Sequence, residues 1–202
     1  MPIDPDVVPA REVYQQMVRA IVPRPIAWVS TVSAAGHANL APYSFFTGVT
    51  SNPPSVVFSA VNNRHGQPKD TLANIREVPQ FVVNVVTHDL REAMNLTSGS
   101  FDRGDSEFER AGLTPMDSSR VRPPRVAEAV VAMECELMQI VPVGEGPGAG
   151  NLIIGQIKLI HVADAVADRD GNIDPAKLDA IGRMGDETYA TTRDRFDLPR
   201  PK

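Results

Sequence analysis

The chain has 202 residues, 42% of them hydrophobic, which suits a single domain with a packed interior over residues 1–202. A formal net charge of −5, with acidic and basic residues interspersed, argues against a nucleic-acid-binding protein, because such proteins carry a basic stripe. The single cysteine excludes an internal disulfide, no apolar run is long enough to span a membrane, and the N-terminus lacks a signal-peptide pattern, so we expect a cytoplasmic protein.

Helical and strand patterns follow one another irregularly in the first half of the chain. Val13, Met17 and Ile21 recur at four-residue spacing, which predicts an N-terminal helix over residues 12–21 that ends before Pro23. Runs of β-branched and aromatic residues, bounded by Gly, Pro and Asn, then predict three strands. These strands cover residues 26–33, 39–50 and 55–61.

The second half of the chain is predicted to add surface helices and a long β-hairpin. The hairpin strands are joined by the glycine-rich loop 144–150, residues 99–127 form a loop, and polar residues form a C-terminal tail. The elements in chain order are a helix over 69–78 with Asp70 as N-cap, a strand over 80–87, a helix over 88–98, hairpin strands over 128–143 and 151–166, and a short helix near 174–181.

The balance of these elements indicates the fold class. Strands dominate in short runs with tight turns, and the helices do not alternate with them regularly. This argues against a doubly wound parallel sheet and favours a small β-barrel with peripheral helices. Trp28, which alternates with Ile26 and Ser30 along its strand, is expected to pack in the core.

Several motifs that often carry chemistry are excluded by their context. The run GEGPGAG has the spacing of a dinucleotide fingerprint, but a strand follows it where a helix N-terminus is required. None of the four histidines has a metal-ligand spacing with another histidine or with Cys135, so no metal site is expected. The sequence has no serine nucleophile elbow, and no catalytic residue is assigned.

Two runs leave alternatives open. KDTLANI is either an ordinary surface helix, which the residues alone favour, or a phosphate site in which Lys69 and Thr71 join the helix N-terminus against the opposing charge of Asp70. NLAPYSFF, residues 39–46, is either a core strand or the wall of a pocket for a flat ligand. Arg183 is either an ordinary surface charge or part of a shaped loop in GRMGDETY, and the glycines at 182 and 185 favour the loop.

Seven runs in order resemble one family. They are RPIAWVSTV, NLAPYSFFTGVTSNPP, KDTLANI, FVVNVV, SFDRGDSEFERAGLTP, LIIGQIKLIHV and GRMGDETY. Together they resemble the flavin reductase-like proteins with the FMN-binding split barrel, in the group associated with flavoprotein oxygenases. The resemblance extends from Val22 to Tyr189, and several ordered motifs are far more specific than any one of them.

The resemblance implies a mainly β protein with a six-stranded Greek-key split barrel, paired as a homodimer with FMN near the subunit interface. The flavin ring would contact Asn39, Leu40, Ala41, Ser44, Phe45 and Phe46, largely through backbone groups, and then Phe58, Ser59 and Ala60. Its phosphate would be held by Arg64, Lys69 and Thr71, with Asp70 and Asn74 shaping the helix start. Arg183 and Tyr189 would close over the site.

The implied activity is flavin reduction, in which NADH or NADPH gives a hydride to flavin N5 and reduced flavin supplies a flavin-dependent oxygenase. This chemistry needs stacked rings and no general base. Three alternatives remain. They are an electron carrier without its own pyridine-nucleotide activity, a barrel that binds no flavin, and a PLP enzyme of related barrel shape, which no residue specifies. His161 has no assigned role.

Overall fold

Twelve strands and five α-helices are found in residues 2–102 and 104–201, which a computed structural model describes. The strands are β1 (Arg24–Pro25), β2 (Ala27–Val32), β3 (Ala38–Tyr43), β4 (Phe46–Ser51), β5 (Pro54–Val61), β6 (Gln80–Val85), β7 (Pro115–Met116), β8 (Arg125–Val126), β9 (Val131–Val143), β10 (Gly150–Val162), β11 (Ile181–Met184) and β12 (Thr188–Thr191). The α-helices are α1 (Ala10–Ala20), α2 (Asp70–Glu77), α3 (Arg91–Leu96), α4 (Glu107–Arg110) and α5 (Pro175–Leu178), and 3₁₀ turns cover His88–Leu90 and Asp164–Val166.

Seven strands form one antiparallel sheet in the order β3–β2–β6–β9–β10–β5–β4. Its two edge strands, β3 and β4, are consecutive in the chain, with only Ser44 and Phe45 between them. So short a link spans at most about 11 Å, so the sheet must curl until its two edges meet. The result is a barrel split between β3 and β4, which confirms the mainly β fold class, with seven strands in the main sheet where the resemblance implied six.

The link between the edge strands also explains where the sequence prediction differs from the structure. The predicted strand over 39–50 is two strands, because Ser44 and Phe45 carry the chain from one edge to the other. Asp70 is not the N-cap of α2. Lys69 is extended and its carbonyl accepts a hydrogen bond from the Ala73 amide, so the helix begins at Asp70. The long antiparallel hairpin of β9 and β10 is as predicted.

A row of aromatic rings fills the barrel and reaches its split edge. Tyr43 lies 5.1 Å from Phe58, and Phe58 lies 5.4 Å from Phe81, measured between ring centroids. At the inner end, the ring of Phe81 occupies the space that a side chain at position 155 would need, so glycine is required there. The hydroxyl end of this row, at Tyr43, lies beside the split.

A second apolar cluster lies outside the barrel, beneath α3 and α4. It contains Trp28, Leu40, Met94 and Phe108, all essentially buried, which confirms the expected core position of the tryptophan. The Trp28 indole N–H donates to Thr97 Oγ1 at 2.9 Å, so the residues that follow α3 are held against the sheet. This places the 97–102 segment opposite the edge of β3.

Two further features position surface segments. The small sheet β1–β11–β12 brings Arg183 opposite Arg24, close to the start of the barrel. On the far side, the fully buried carboxylate of Glu134 accepts the backbone amides of Ser119 and Arg120 at 2.8 and 2.5 Å, and thereby fixes their loop to the barrel. Within residues 2–102 and 104–201, no helix has the length and apolar character needed to cross a membrane.

Candidate functional site

A cavity of about 470 Å³ lies where the edge of β3 meets the N-terminus of α2 and the 97–102 segment. We call it the strand-edge cavity. Five of the residues expected to contact a flavin line it, namely Asn39, Ala41, Lys69, Asp70 and Thr71. The run NLAPYSFF is therefore a strand and a cavity wall at once. That these residues bind a cofactor stays a prediction.

The wall of the strand-edge cavity is held by a buried carboxylate that the sequence did not single out. Glu107, at the start of α4 and only 8% exposed, accepts the backbone amide of Leu40 at 3.1 Å. The Asn39 amide fits best when its nitrogen donates to Glu107 at 3.2 Å and its oxygen accepts from the Thr71 hydroxyl at 2.9 Å. Burial raises the pKa of Glu107 above its ordinary value, because the charged form loses water.

The Tyr43 hydroxyl is an unused donor at the same wall. The side chain is only 7% exposed, and the hydroxyl lies near Thr71. The Thr71 hydroxyl is engaged with Asn39, and the Tyr43 hydroxyl meets the geometry of a hydrogen bond with none of the described residues. Burial raises the pKa of this phenol to about 12, so it stays protonated at neutral pH. Because an unpartnered buried hydroxyl is costly, this group fits a ligand that offers an acceptor.

The N-terminus of α2 faces the strand-edge cavity without a capping side chain. Its first amides therefore lack the partners that a cap would supply, and the helix dipole favours an anion there. Lys69 is exposed and forms no ion pair with the described residues. The carboxylates of Asp70, Asp102 and Glu107 also line the cavity, and Asp70 follows Lys69 directly, so the ammonium and the helix dipole favour an anion against these acidic groups.

Two predicted residues, Asn74 and Arg64, lie outside the lining of the strand-edge cavity. The Asn74 amide donates to Thr31 Oγ1 at 3.1 Å and holds α2 against β2, and its part in shaping the helix start stays a prediction. Arg64 is exposed, and its Nε donates to His65 Nε2 at 3.0 Å. Arg64 does not belong to the lining of the strand-edge cavity.

The predicted ring contacts are divided between cavities. Leu40, Phe58 and Ala60 are buried in the core, so only their backbone groups can meet a ligand, and the Leu40 amide already donates to Glu107. The remaining predicted residues line a separate, mainly apolar cavity of about 420 Å³. They are Ser44, Phe45, Phe46 and Ser59.

Arg183 and Tyr189 line a third cavity of about 390 Å³, which we call the arginine cavity. The Arg183 guanidinium stacks 4.6 Å from the Tyr189 ring centroid and donates to the Tyr189 hydroxyl. Pro42 and Ser98 line both this cavity and the strand-edge cavity, so the two are neighbours. The two residues expected to close over the site therefore lie beside the strand-edge cavity.

Arg24 is a charged residue of the arginine cavity that the sequence reading missed. Its side chain donates to the carbonyls of Val18, Ile21 (2.7 Å) and Gly185 (3.2 Å). It also lies 3.4 Å from the Ser44 hydroxyl. Burial lowers the pKa of Arg24 from its usual value. Arg24 is the first residue of the run RPIAWVSTV, and this position could have marked it as a candidate. The prolines on both sides of Arg24 were instead interpreted as the end of the N-terminal helix.

His161 does not belong to the candidate site. Its Nε2 lies 2.5 Å from the buried carboxylate of Glu134 on the hairpin of β9 and β10, and it lines none of the three cavities. Among the described residues, no three His, Cys, Asp or Glu side chains come together as a metal site would require.

Comparison with known proteins agrees with this architecture. The profile of the family described as flavin reductase like domain matches residues 17–177. Nitrilotriacetate monooxygenase component B from Bacillus cereus is 34% identical, with a TM-score of 0.93 over 98% of each chain. The 2-nitrobenzoate 2-nitroreductase of Pseudomonas fluorescens is 30% identical, with a TM-score of 0.89 over 100% of this chain and 96% of that one.

A third solved structure bears on the fold alone. It is a split-barrel protein of the flavin reductase type from Shewanella frigidimarina NCIMB 400, with a TM-score of 0.85, 24% identity and complete coverage of both chains. The likeness extends over the barrel, the peripheral helices and the small sheet that carries Arg183, since the whole chain is covered.

Proposed function

Because this chain belongs to the flavin reductase like domain family, we propose that it binds FMN and reduces flavin with NADH or NADPH. A bound flavin would supply the redox chemistry by taking a hydride at N5 from the reduced nicotinamide. The chain would bind the rings, hold them in contact and exclude water. The strand-edge cavity carries this proposal, because it joins a strand edge, an unpartnered phenol and an uncapped helix N-terminus in one space.

The phosphate of FMN is proposed to lie at the start of α2. Amides of the first helical turn, the helix dipole and the Lys69 ammonium all favour an anion at this point. Thr71 is engaged with Asn39, so it would contribute mainly by fixing the cavity wall.

The flavin ring is proposed to lie along the edge of β3, toward Pro42 and Ser98. Asn39 and Ala41 line this wall, and the Tyr43 hydroxyl supplies a donor that has no acceptor among the described residues. A ring placed there borders the arginine cavity, because Pro42 and Ser98 line both spaces. The second substrate would then reach the ring from the arginine cavity.

A homodimer is proposed on the strength of the apolar cavity beside Phe46. Its lining includes Val57 and the exposed side chains of Ile21 and Leu152, which a second copy would remove from water. Sedimentation at micromolar concentration should give a dimer. A monomer that binds FMN with full affinity would show that the site needs no second subunit.

Two of the similar proteins suggest which acceptor takes the electrons of the reduced flavin. Component B of nitrilotriacetate monooxygenase supports a flavin-dependent oxygenase as a partner that takes reduced flavin. The 2-nitrobenzoate 2-nitroreductase favours a second candidate, direct reduction of a small organic acceptor, and the separate arginine cavity next to the strand edge gives such an acceptor a place. An electron carrier without pyridine-nucleotide activity is the remaining alternative.

The first experiment separates these functions by colour. Protein purified or reconstituted with FMN should be yellow, and anaerobic NADH or NADPH should bleach the visible absorbance of the flavin. Protein that stays yellow with both nucleotides but bleaches with dithionite is an electron carrier. Protein that takes up no flavin refutes the proposal.

The second experiment tests the phosphate site with Lys69→Ala. Loss of one charge-assisted contact should weaken FMN about tenfold, which corresponds to ~1.4 kcal/mol, and should leave riboflavin nearly unchanged because it has no phosphate. Dissociation constants are measured by flavin fluorescence for both ligands. Arg76→Ala, which removes an exposed cation from the last turn of α2, is the matched control, and equal losses for both flavins would mean that Lys69 is structural.

A further inference from the structure

Arg24 is a buried cation without an anionic partner in residues 2–102 and 104–201. Its side chain is 4% exposed, and it forms no ion pair with any described carboxylate. Every hydrogen bond that it donates goes to a neutral oxygen, on Val18, Ile21, Gly185 or Ser44. A guanidinium in this position is unusual, because buried charges in proteins are normally paired.

The end of α1 offsets only part of this charge. The carbonyls of Val18 and Ile21 lie at the C-terminus of the helix, where the dipole is negative and a cation is favoured. The end of a helix carries only a partial negative charge, so it neutralises only part of the positive charge of Arg24. The uncompensated part of that charge acts on the arginine cavity, which Arg24 lines. The lowered pKa of Arg24 reports the same lack of compensation.

A second guanidinium adds to the field in the arginine cavity. Arg183 also lines it and is held by the hydroxyl of Tyr189 and the carbonyl of Asp186, which are again neutral acceptors. Two acidic residues, Asp186 and Glu187, also line the cavity. The carboxylate of Asp186 forms an ion pair with Arg19 at 2.7 Å, so one of the two negative charges is already paired. The rings of Tyr14 and Tyr189 form apolar walls between these charges.

We propose that the arginine cavity binds the oxyanion, a carboxylate or a phosphate, of the small molecule that exchanges electrons with the flavin. Arg24 and Arg183 supply the charge, and the tyrosine rings pack against the body of the molecule. Pro42 and Ser98 separate this cavity from the strand-edge cavity, so an anion at the arginines keeps the rest of the molecule next to the flavin ring. The position of the flavin in this statement rests on the proposed function, and the anion site does not.

The test compares pairs of ligands in which one member carries an anionic group and the other is neutral. Benzoate against benzamide probes a carboxylate, and ADP-ribose against adenosine probes a diphosphate. Dissociation constants are measured by titration calorimetry with FMN-loaded and with flavin-free protein, so no turnover is required. In at least one pair we expect the anion to bind about tenfold or more tightly than its neutral partner, and which pair shows this identifies the source of the oxyanion.

Variants then assign the preference to the arginines. Arg183→Met should reduce the preference to about threefold or less, whereas Arg183→Lys should keep most of it. Arg169→Met removes an exposed arginine elsewhere and should change nothing. Arg24→Met should act like Arg183→Met, provided that its circular dichroism spectrum shows it to be folded.

Three results would overturn the proposal. The first is that neither ligand pair shows a preference for the anion. The second is that the preference survives both Arg183→Met and folded Arg24→Met. The third is that Arg183→Met weakens the binding of FMN while sparing riboflavin. The last result would mean that the cavity holds the phosphate of the flavin itself. Failure of NADH or NADPH to bleach the flavin, by contrast, would refute the reductase activity and leave the binding result intact.

Discussion

Two buried glutamates in this molecule have opposite electrostatic surroundings. Glu134 is fully buried and accepts two backbone amides, from Ser119 and Arg120, with His161 2.5 Å away. Burial alone would raise the pKa of Glu134, but these donors hold it below its ordinary value. Glu107 accepts the Leu40 amide, and burial prevails, so its pKa is raised.

The difference shows that donors and neighbouring charges, together with burial, decide the direction in which the pKa of a buried carboxylate shifts. Glu134 has three donors, of which His161 also lowers its pKa, so its charge is stabilised within the protein. Glu107 accepts from Leu40 and Asn39 and lies near the negative charges of Asp70 and Asp105, so its charge is less stabilised. Glu134 fixes a loop, and Glu107 shapes the candidate flavin site.

The largest effect in this comparison is expected for Glu134→Gln. The amide can accept one backbone N–H, but its own NH₂ group then faces the other donor, so the free energy of unfolding should fall by about 3 kcal/mol. Urea denaturation measures this loss. A loss below about 1 kcal/mol would show that the anchor is dispensable and would remove the contrast with Glu107.

Glu107→Gln is the matched substitution in the cavity. Glutamine can still accept the Leu40 amide, so the unfolding free energy should change by less than about 1 kcal/mol. With one negative charge removed near α2, FMN should bind a few-fold more tightly and riboflavin should not. Fluorescence titration with both flavins checks this, and tighter binding of both would point to a change in cavity shape.

Tyr43→Phe examines the spare donor next to Glu107. Removing an unpartnered buried hydroxyl should stabilise the flavin-free protein by about 1 kcal/mol, while the lost contact weakens FMN and riboflavin alike. Thermal denaturation with and without flavin separates the two effects. Destabilisation of the flavin-free protein would mean that the hydroxyl already has a partner.

The smallest effect expected is a pair of opposite pH slopes. The lowered pKa of Glu134 makes its stabilisation complete above the ordinary glutamate pKa, and this is lost as pH falls through the folded value, so the cost of Glu134→Gln should shrink on acidification. The raised pKa of Glu107 stabilises the fold below the ordinary value, and this is lost as pH rises through the folded value, so any cost of Glu107→Gln should shrink as pH rises. Urea midpoints between roughly pH 3 and 8 measure both slopes.

Regular patterns made much of the barrel predictable. The hairpin of β9 and β10 and the helix α2 follow from strand and helix periodicity and from glycine and proline at their ends. The break at Ser44 and Phe45 was not predictable, because those residues continue the apolar run and only closure of the sheet turns the chain there. The four-residue helix α4 is too short to show a period.

The candidate site was predictable only in part. Resemblance to ordered motifs placed residues such as Asn39 and Lys69, which do line one cavity. Glu107 and Arg24 escaped, because charged residues are usually exposed and their burial arises from tertiary contacts that no local pattern encodes. Arg64, by contrast, matched a motif position and lies outside the cavity.

The short connection between the two edge strands has a thermodynamic consequence. Residues 42–46 contribute to the walls of all three cavities, with Pro42 in two of them and Ser44 in two. A molecule that displaces this segment in one cavity alters the affinity of the others, and linkage requires that each occupant influence the other by the same factor. The affinity of one cavity for its ligand is therefore measured with the neighbouring cavity empty and then saturated. The ratio of the two affinities gives the coupling free energy that residues 42–46 transmit between the cavities.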